Sequence, residues 1–523
     1  MSTPPRPALA WNRPESTQRR VTTRSLVIGA LLVVAAFAGA FMDVGLLVVS
    51  LGLCNVAVFV FLLLKRDIAW GFLFYLTAVI FFQQGFWIRL PGFPDLYPGR
   101  VALVLLYLVF VVQILLRMRH TPRLGRIEKT MLVFLVLLYI SALTRGDTPG
   151  WLLLMRGYLF PFLFFYFARA AIAEKTQVQI VMAYLVLVGL YFGVMGILEG
   201  LKLYEFVFPK FIVDPTVADK GLSRLGFRVR GIFLQPAVLG CVMTIGFFPA
   251  WFYLGRLRGV VPRVLQVALL VVTPPTLFYT LTRSVYLGFA AALVVAAIWS
   301  RRMRTVSVGL ILGAMVAIFL NWDSLGSEDR ERGGMGTMNT VHIRIELLYE
   351  AVEIFADNPL FGCGFMNFPE VALEHRKPRD VPLFGHVDVG AGGDAVLHNM
   401  ILTVLAEQGL TGLVPYMLIY FFVFMVSLRA YRDLPREGLV SRDFVVCVWC
   451  AMAAYFMNSM FLELRYFEYV NVLYFFLMGT MVGMYERYQN RELDTSLLDA
   501  EHTEGPRSIP WPTPRSATSR EGV

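Results

Sequence analysis

Fourteen apolar runs, each near the ~20 residues that cross a ~30 Å hydrocarbon layer as a helix, constrain this chain more than any other feature. They lie near 25–42, 44–64, 68–88, 101–116, 130–143, 151–168, 177–199, 236–255, 264–281, 284–300, 305–322, 410–428, 443–461 and 470–486. In hydrocarbon every backbone N–H and C=O must be satisfied within its own segment, which leaves helices as the structure for such runs. The composition agrees, with 57% hydrophobic and 16% charged residues over 523 positions and a mean hydropathy of +0.63. The expected fold class is all-α, a polytopic integral membrane protein. No cleavable leader is expected, because the polar stretch 1–24 runs into an apolar segment without a small-residue cleavage signature.

The connections carry a topological signal. Alternate loops are basic: "KRD" 65–67, "RMRHTPRLGRIEK" 117–129, "RLRGVVPR" 256–263, "RRMR" 301–304 and "RAYRDLPREGLVSR" 429–442. Positive charge collects on the cytoplasmic side, so both termini are expected there, where much of the formal +10 would also lie. The Pro, Ser and Thr rich tail 488–523 reads as disordered. Five cysteines, Cys54, Cys241, Cys363, Cys447 and Cys450, are too scattered for a disulfide framework. "CVWC" 447–450 reads as two buried small apolar residues in a span rather than a redox motif.

Three outer segments are long enough to build something: 89–100, 201–235 and above all 323–409, which holds His342, His375, His386 and His398 of the six histidines. Residues 398–428 cannot form one straight span, since 31 residues at ~1.5 Å rise exceed the membrane by about half. Gly409, Gly412 and Pro415 supply the break. "AVLHNMILTVLAEQ" then reads as a separate helix at the outer surface, with Asp394 as N-cap and His398 in its first turn and a half. A helix N-terminus disfavours imidazolium, and a neutral imidazole can accept a proton from a hydroxyl. The plainer reading of His398 is a helix-end histidine satisfied by a loop carbonyl. Glu407 falls on the opposite side of that helix and is not its obvious partner.

Outer arginines run against the positive-inside bias and call for a partner. Arg283 sits in the turn "LTRSVYLG", Arg228 and Arg230 in "LGFRVRGIFLQPAVLG", His342 and Arg344 in "TMNTVHIRIELLYEA", Arg145 in "TRGD" and Arg156 in "LLLMRGYLFPF". Arginine grips two oxygens at once and suits a phosphate or diphosphate. Interfacial snorkelling, or pairing with acids of the same loops, is the plainer alternative. A metal site from His342, His375, His386 and His398 with Asp388 or Asp394 lacks any tight ligand spacing, so no metal and no other cofactor is expected. A transporter or flippase of lipid-linked sugars is the rival from another class. Such proteins carry ionisable residues and broken helices near the midplane, whereas here Pro274–Pro275 reads as the main deep break and the polar residues gather outside.

Four stretches resemble the O-antigen ligase and O-antigen polymerase superfamily of bacterial surface-glycan enzymes. They are "RVRGIFLQPAVLG" 228–240, "TLTRSVYLGF" 280–289, "HIRIELLYEAVEIFADNPLFGCGFMNF" 342–368 and "HNMILTVLAEQGLTGL" 398–413, in the family's order. The resemblance implies a membrane-embedded helical fold of the glycosyltransferase-C kind in the bacterial inner membrane. The resemblance covers a ligase-like catalytic region 220–430 with its periplasmic loop 323–409, and hydropathy and charge place around it a cytoplasmic segment 1–24, a transmembrane bundle 25–219, C-terminal helices 431–487 and the tail 488–523. It further implies an inverting, metal-independent glycosyltransferase that moves a glycan from undecaprenyl diphosphate to an acceptor hydroxyl on the periplasmic face. Arg228 or Arg230, Arg283 and Arg344 would hold the diphosphate, with His398 beside the hydroxyl. The partners implied are the undecaprenyl-diphosphate-linked glycan, lipid A core or a growing glycan as acceptor, and membrane lipids, with no nucleic acid. Ligation onto lipid A core is preferred, and polymerisation of O-antigen, capsule or exopolysaccharide repeats is the alternative.

Overall fold

The computed structural model describes residues 68–81, 98–116, 121–145, 148–214, 228–320, 339–382, 384–387, 396–493 and 495–498. Among the described residues the regular structure is helical apart from one small hairpin, and the chain divides into two compact units, Met1–Leu116 and Arg117–Val523. In the first unit α1 (Ala69–Phe81) packs on α2 (Pro98–Leu115). The second unit holds α3 (Arg126–Arg145), α4 (Thr148–Leu154), a π-helical turn Met155–Leu159, α5 (Phe160–Ala171), α6 (Lys175–Gly200), α7 (Pro236–Leu254), α8 (Val260–Tyr279), α9 (Arg283–Trp299) and α10 (Arg301–Leu320). Then come α11 (Asn339–Asp357), α12 (Phe368–His375), the hairpin β1 (Arg379–Val381) and β2 (Gly385–Val387), α13 (Met400–Asp433), α14 (Arg442–Ser459) and α15 (Glu468–Gln489).

Twelve of the fourteen apolar runs coincide with helices, and the runs 25–42 and 44–64 lie outside the described residues. Among the described residues six helical segments are long and apolar enough to cross a membrane: Gly150–Ala171, Lys175–Gly200, Pro236–Leu254, Val260–Tyr279, Arg301–Leu320 and Met400–Asp433. The chain is therefore a multi-pass helical membrane protein. The all-α expectation needs one amendment, since β1 and β2 pair antiparallel with Asp380 opposite His386.

Small residues set the helix spacing. Without a hydrophobic drive between helices in lipid, close backbone approach supplies the packing energy. A Cβ on Gly479 or Gly483 of α15 would strike the α5 backbone at Phe165 and Arg169, and one on Gly288 of α9 would meet the Asn458 amide of α14. Gly193, Gly196 and Gly200 likewise seat α6 on Val272, Thr276 and Tyr279 of α8. This contact explains one correction. Pro274 and Pro275, read as a deep break, are carried inside a continuous α8. Interior proline costs about 3 kcal/mol or more in an isolated helix, but here α6 holds the segment, and the Thr276 hydroxyl donates to the Gly193 carbonyl at 2.8 Å.

Successive long helices run in alternate directions, which gives the second unit two polar ends. At one end Arg169 lies between Glu128 and Glu486, with Nε and Nη2 at 2.7 and 2.8 Å from the Glu486 carboxylate. The Ser300 hydroxyl donates to Asp443 there at 2.7 Å. The opposite end carries Arg230, the α8–α9 turn, α11, His398 and the α14–α15 connection. The cysteines of "CVWC" are buried among helices, their thiols directed at the Phe248 and Ala292 carbonyls.

Candidate functional site

The site end is organised by a break in α13. Gly409 leaves the helical region with φ 59° and ψ −155°, a conformation open to glycine and strained for any side chain. A break leaves carbonyls orphaned behind it and N–H groups orphaned ahead of it. The turn "NPLFGCGF" satisfies both sets. Leu410 and Thr411 donate to the Pro359 and Leu360 carbonyls at 2.9 and 3.1 Å, while Cys363 and Gly364 donate to the Ala406 and Glu407 carbonyls, both at 2.9 Å. Approach this close needs glycine on both sides. A Cβ at Gly409 would lie 2.5 Å from the Leu360 carbonyl group, and one at Gly362, itself at φ +65°, would lie 2.4 Å from the Ala406 oxygen. Ser141 of α3 joins the two stretches by accepting from the Phe365 N–H at 2.9 Å and from the Gln408 amide at 3.1 Å.

Beside the break lies a buried ion cluster. Arg465, in the short link between α14 and α15, grips both Glu407 oxygens at 2.5 and 2.8 Å and also pairs with Glu463. All three side chains are under 5% exposed. The guanidinium stacks over Phe365 of the same turn, 5.5 Å from the ring centre. The π-helical turn makes room for it, because Gly157 comes so close that a Cβ would sit 2.9 Å from Arg465. Burial pushes the Glu463 carboxyl up to about 7, against the lowering effect of Arg465.

The expected start of the His398 helix is corrected. Helix α13 begins at Met400, and its N-cap is Asn399, whose side-chain oxygen accepts from Ile401 and Leu402 at 3.1 and 3.0 Å. Asp394 and Asp388 lie outside the described residues. His398 precedes the cap, half-buried, in the left-handed region at φ 51°. Its neighbour Leu397 is buried with Leu347, Ala351 and Ile354 of α11 and Phe368 of α12, so the histidine is tied to the loop helices as well as to α13.

The arginines separate by environment. Arg283 is the first residue of α9, exposed, and makes no ion pair among the described residues. Arg228 is half-buried and within electrostatic reach of Tyr286, three residues further along α9. Arg230 is committed elsewhere: its Nε lies 3.7 Å from Glu199, and the Arg230 and Gly231 N–H groups donate to the same carboxylate at 3.0 and 2.8 Å. Arg344 lies over the Phe461 ring at 5.5 Å, just past the end of α14, the helix that α9 meets at Gly288. His342 is half-buried on α11, with Nε2 buried and unbonded among the described residues. Arg156 sits in the π turn with Nε 3.8 Å from Glu468. Arg145 closes α3, and its side chain lies outside the described residues.

The other two loop histidines go to local pairs. His375 Nε2 lies 2.8 Å from Asp357 and His386 Nδ1 lies 2.9 Å from Asp380. Acids of α11 take up the loop cations: Arg376 pairs with Glu350 at 2.8 Å, and Arg379 is bidentate on Glu353 at 2.6 and 2.8 Å and reaches Glu346 at 3.2 Å. Among the described residues no three His, Cys, Asp or Glu side chains are arranged to hold a metal ion. The residues that sequence reasoning missed are Arg465, Glu463 and Glu199. The signal for the first two was three ionisable residues, Glu463, Arg465 and Glu468, within six positions between two apolar runs, and for Glu199 an acid at the end of the apolar run 177–199.

A family model described as O-antigen ligase matches residues 265–417. The match runs from α8 to the first turns of α13 after its break and includes Arg283, His342, Arg344 and His398, while Arg228 and Arg230 precede it. No curated protein matches the chain.

Proposed function

We propose, on the match of residues 265–417 to the O-antigen ligase model, that the chain transfers a glycan from undecaprenyl diphosphate to an acceptor hydroxyl at the periplasmic face of the bacterial inner membrane. The observation that carries this reading is Arg283: a permanent cation, exposed and not ion-paired among the described residues, inside the matched segment and at the same end of the unit as His398. Arg283 and Arg228 hold the diphosphate, and Arg344 extends the grip. Arg230 has its charge matched by Glu199 and serves to shape the segment that presents Arg228.

In the reaction the acceptor oxygen attacks the anomeric carbon, the bond to the diphosphate oxygen breaks, and the configuration inverts. Negative charge grows on the leaving diphosphate, where guanidinium groups stabilise it most in a site shielded from water. The hydroxyl proton passes to His398, which stands immediately before the N-cap of α13 and whose imidazole can accept it. Charge stabilisation by arginine makes a divalent ion unnecessary, so purified protein keeps its transfer activity in excess chelator. Loss of activity restored by one divalent ion would contradict this.

Ligation onto lipid A core is the preferred reaction. The surface glycans of a deletion strain test it: naked lipid A core with accumulated lipid-linked polymer supports ligase, and core bearing one repeat unit marks a polymerase instead. Unchanged surface glycans contradict both.

A further inference from the structure

An open cavity of about 450 Å³ lies where α7 ends and α8 begins, at the end of the unit opposite His398. Leu254, Gly255, Arg258, Gly259, Arg263 and Gln266 line it, and no carboxylate does so among the described residues. The sequence "GRLRGVVPR" builds this shape. Gly259, at φ +115°, turns the chain into α8 with no side chain capping the first N–H groups, and Pro262 has none to contribute. Gln266 fixes one wall by donating to the Trp251 carbonyl at 3.3 Å. Two guanidinium groups and an uncapped helix start thus face one opening, a combination that attracts a phosphate.

The surroundings say which phosphate. Val260, Val264, Val267 and Val271 are 75%, 58%, 58% and 60% exposed. At spacings of four, three and four they form one stripe along a candidate membrane span. Arg263 belongs to the same side, three residues after Val260 and four before Val267. Its stem can lie on the apolar stripe while its head stays at the polar opening.

We propose that this cavity binds the phosphate of an anionic phospholipid, with Arg258 and Arg263 on the headgroup and the acyl chains along the valine stripe. A free phosphate would share the arginines but gain nothing from the stripe. The site is independent of glycan transfer.

The test is native mass spectrometry of the full chain in detergent, titrated separately with phosphatidylglycerol, phosphatidylcholine and inorganic phosphate. Phosphatidylglycerol binds in preference to phosphatidylcholine. The double variant Arg258→Gln/Arg263→Gln loses about thirtyfold in that affinity, the effect of two basic residues at an anionic surface. Arg258→Lys/Arg263→Lys keeps the charge but loses the two-pronged grip, so its affinity falls between those of the wild type and the Gln pair; if the Gln pair fails to fold, wild-type affinity in the Lys pair overturns the site. Equal affinity for the two lipids, or wild-type affinity in the Gln pair, overturns the site. Displacement of phosphatidylglycerol by millimolar inorganic phosphate overturns the lipid assignment.

Discussion

Arg465 holds both oxygens of Glu407 across 58 positions of sequence, and the pair is buried against the break at Gly409. Removing one partner of a buried pair leaves an uncompensated charge, which costs about 3–5 kcal/mol. Arg465→Met leaves Glu407 and Glu463 both without their cation and should lower the thermal stability of the detergent-solubilised protein sharply, while Glu407→Gln leaves Arg465 paired with Glu463 and should cost less. The double variant should recover part of the Arg465→Met loss, because it leaves only Glu463 unmatched. A double variant as unstable as the sum of the two singles would show that the cluster does not act as a pair.

Gly409 gives a backbone test of the same region. A methyl group there would meet the Leu360 carbonyl at 2.5 Å and impose a strained φ, and a non-glycine residue in such a region costs about 1–3 kcal/mol before any clash. Gly409→Ala should destabilise by at least that much. Gly313→Ala, with nothing within 4 Å of the new atom, should be neutral or slightly stabilising, as expected for alanine in a helix. Thermal unfolding of both variants makes the comparison.

The loop helices carry a pH dependence of known sign. The hydrogen bond that His375 donates to the Asp357 carboxylate raises the His375 pKa above its ordinary 6.5. A raised folded pKa gives stability that is complete below about pH 6.5 and is lost as pH rises through the folded value. Glu353 has the opposite sign: its hydrogen bonds from Arg379 hold it at about 2, so its contribution is present above about pH 4.5 and is lost as pH falls towards 2. Hydrogen exchange in α12, corrected for the intrinsic rate, should quicken from pH 6 to pH 8.5, and His375→Gln should remove that change. An α12 that exchanges equally at both pH values in the wild type contradicts the pairing.

How much of this was legible depends on whether the signal is local. The apolar runs and the interruption at Gly409 were readable because hydropathy and glycine act on the segment that contains them. The start of α13 was misread at Asp394 because Asp and Asn cap helices about equally well, and the choice of Asn399 depends on the hold that α11 keeps on Leu397. The continuity of α8 through Pro274 and Pro275 depends on glycines of α6, some eighty positions away. In the site, the residue types were legible but their pairing was not. Arg228 and Arg230 look alike in sequence, and only Glu199 at the end of α6 distinguishes them. Arg465 stayed hidden in a short link because its partner lies on another helix.

Arg283→Lys separates charge from geometry at the proposed diphosphate site. Lysine keeps the charge and loses the two-pronged grip. Transfer should fall by the equivalent of about 1–3 kcal/mol, the range for charge-assisted bonds, with weakened binding of the lipid diphosphate. Arg230→Lys should instead act on stability through Glu199. Equal loss of donor binding in both variants would contradict the division of roles.

The account stands most directly on His398. The measurement is glycan transfer by His398→Ala at matched membrane levels, together with its affinity for the lipid-linked donor. A residue that takes the acceptor proton contributes about 10² to 10⁴ in rate, so turnover should fall by that factor while donor affinity stays near the wild-type value. Transfer at the wild-type rate would reduce His398 to a residue that only precedes the cap of α13, and it would contradict the proposed chemistry.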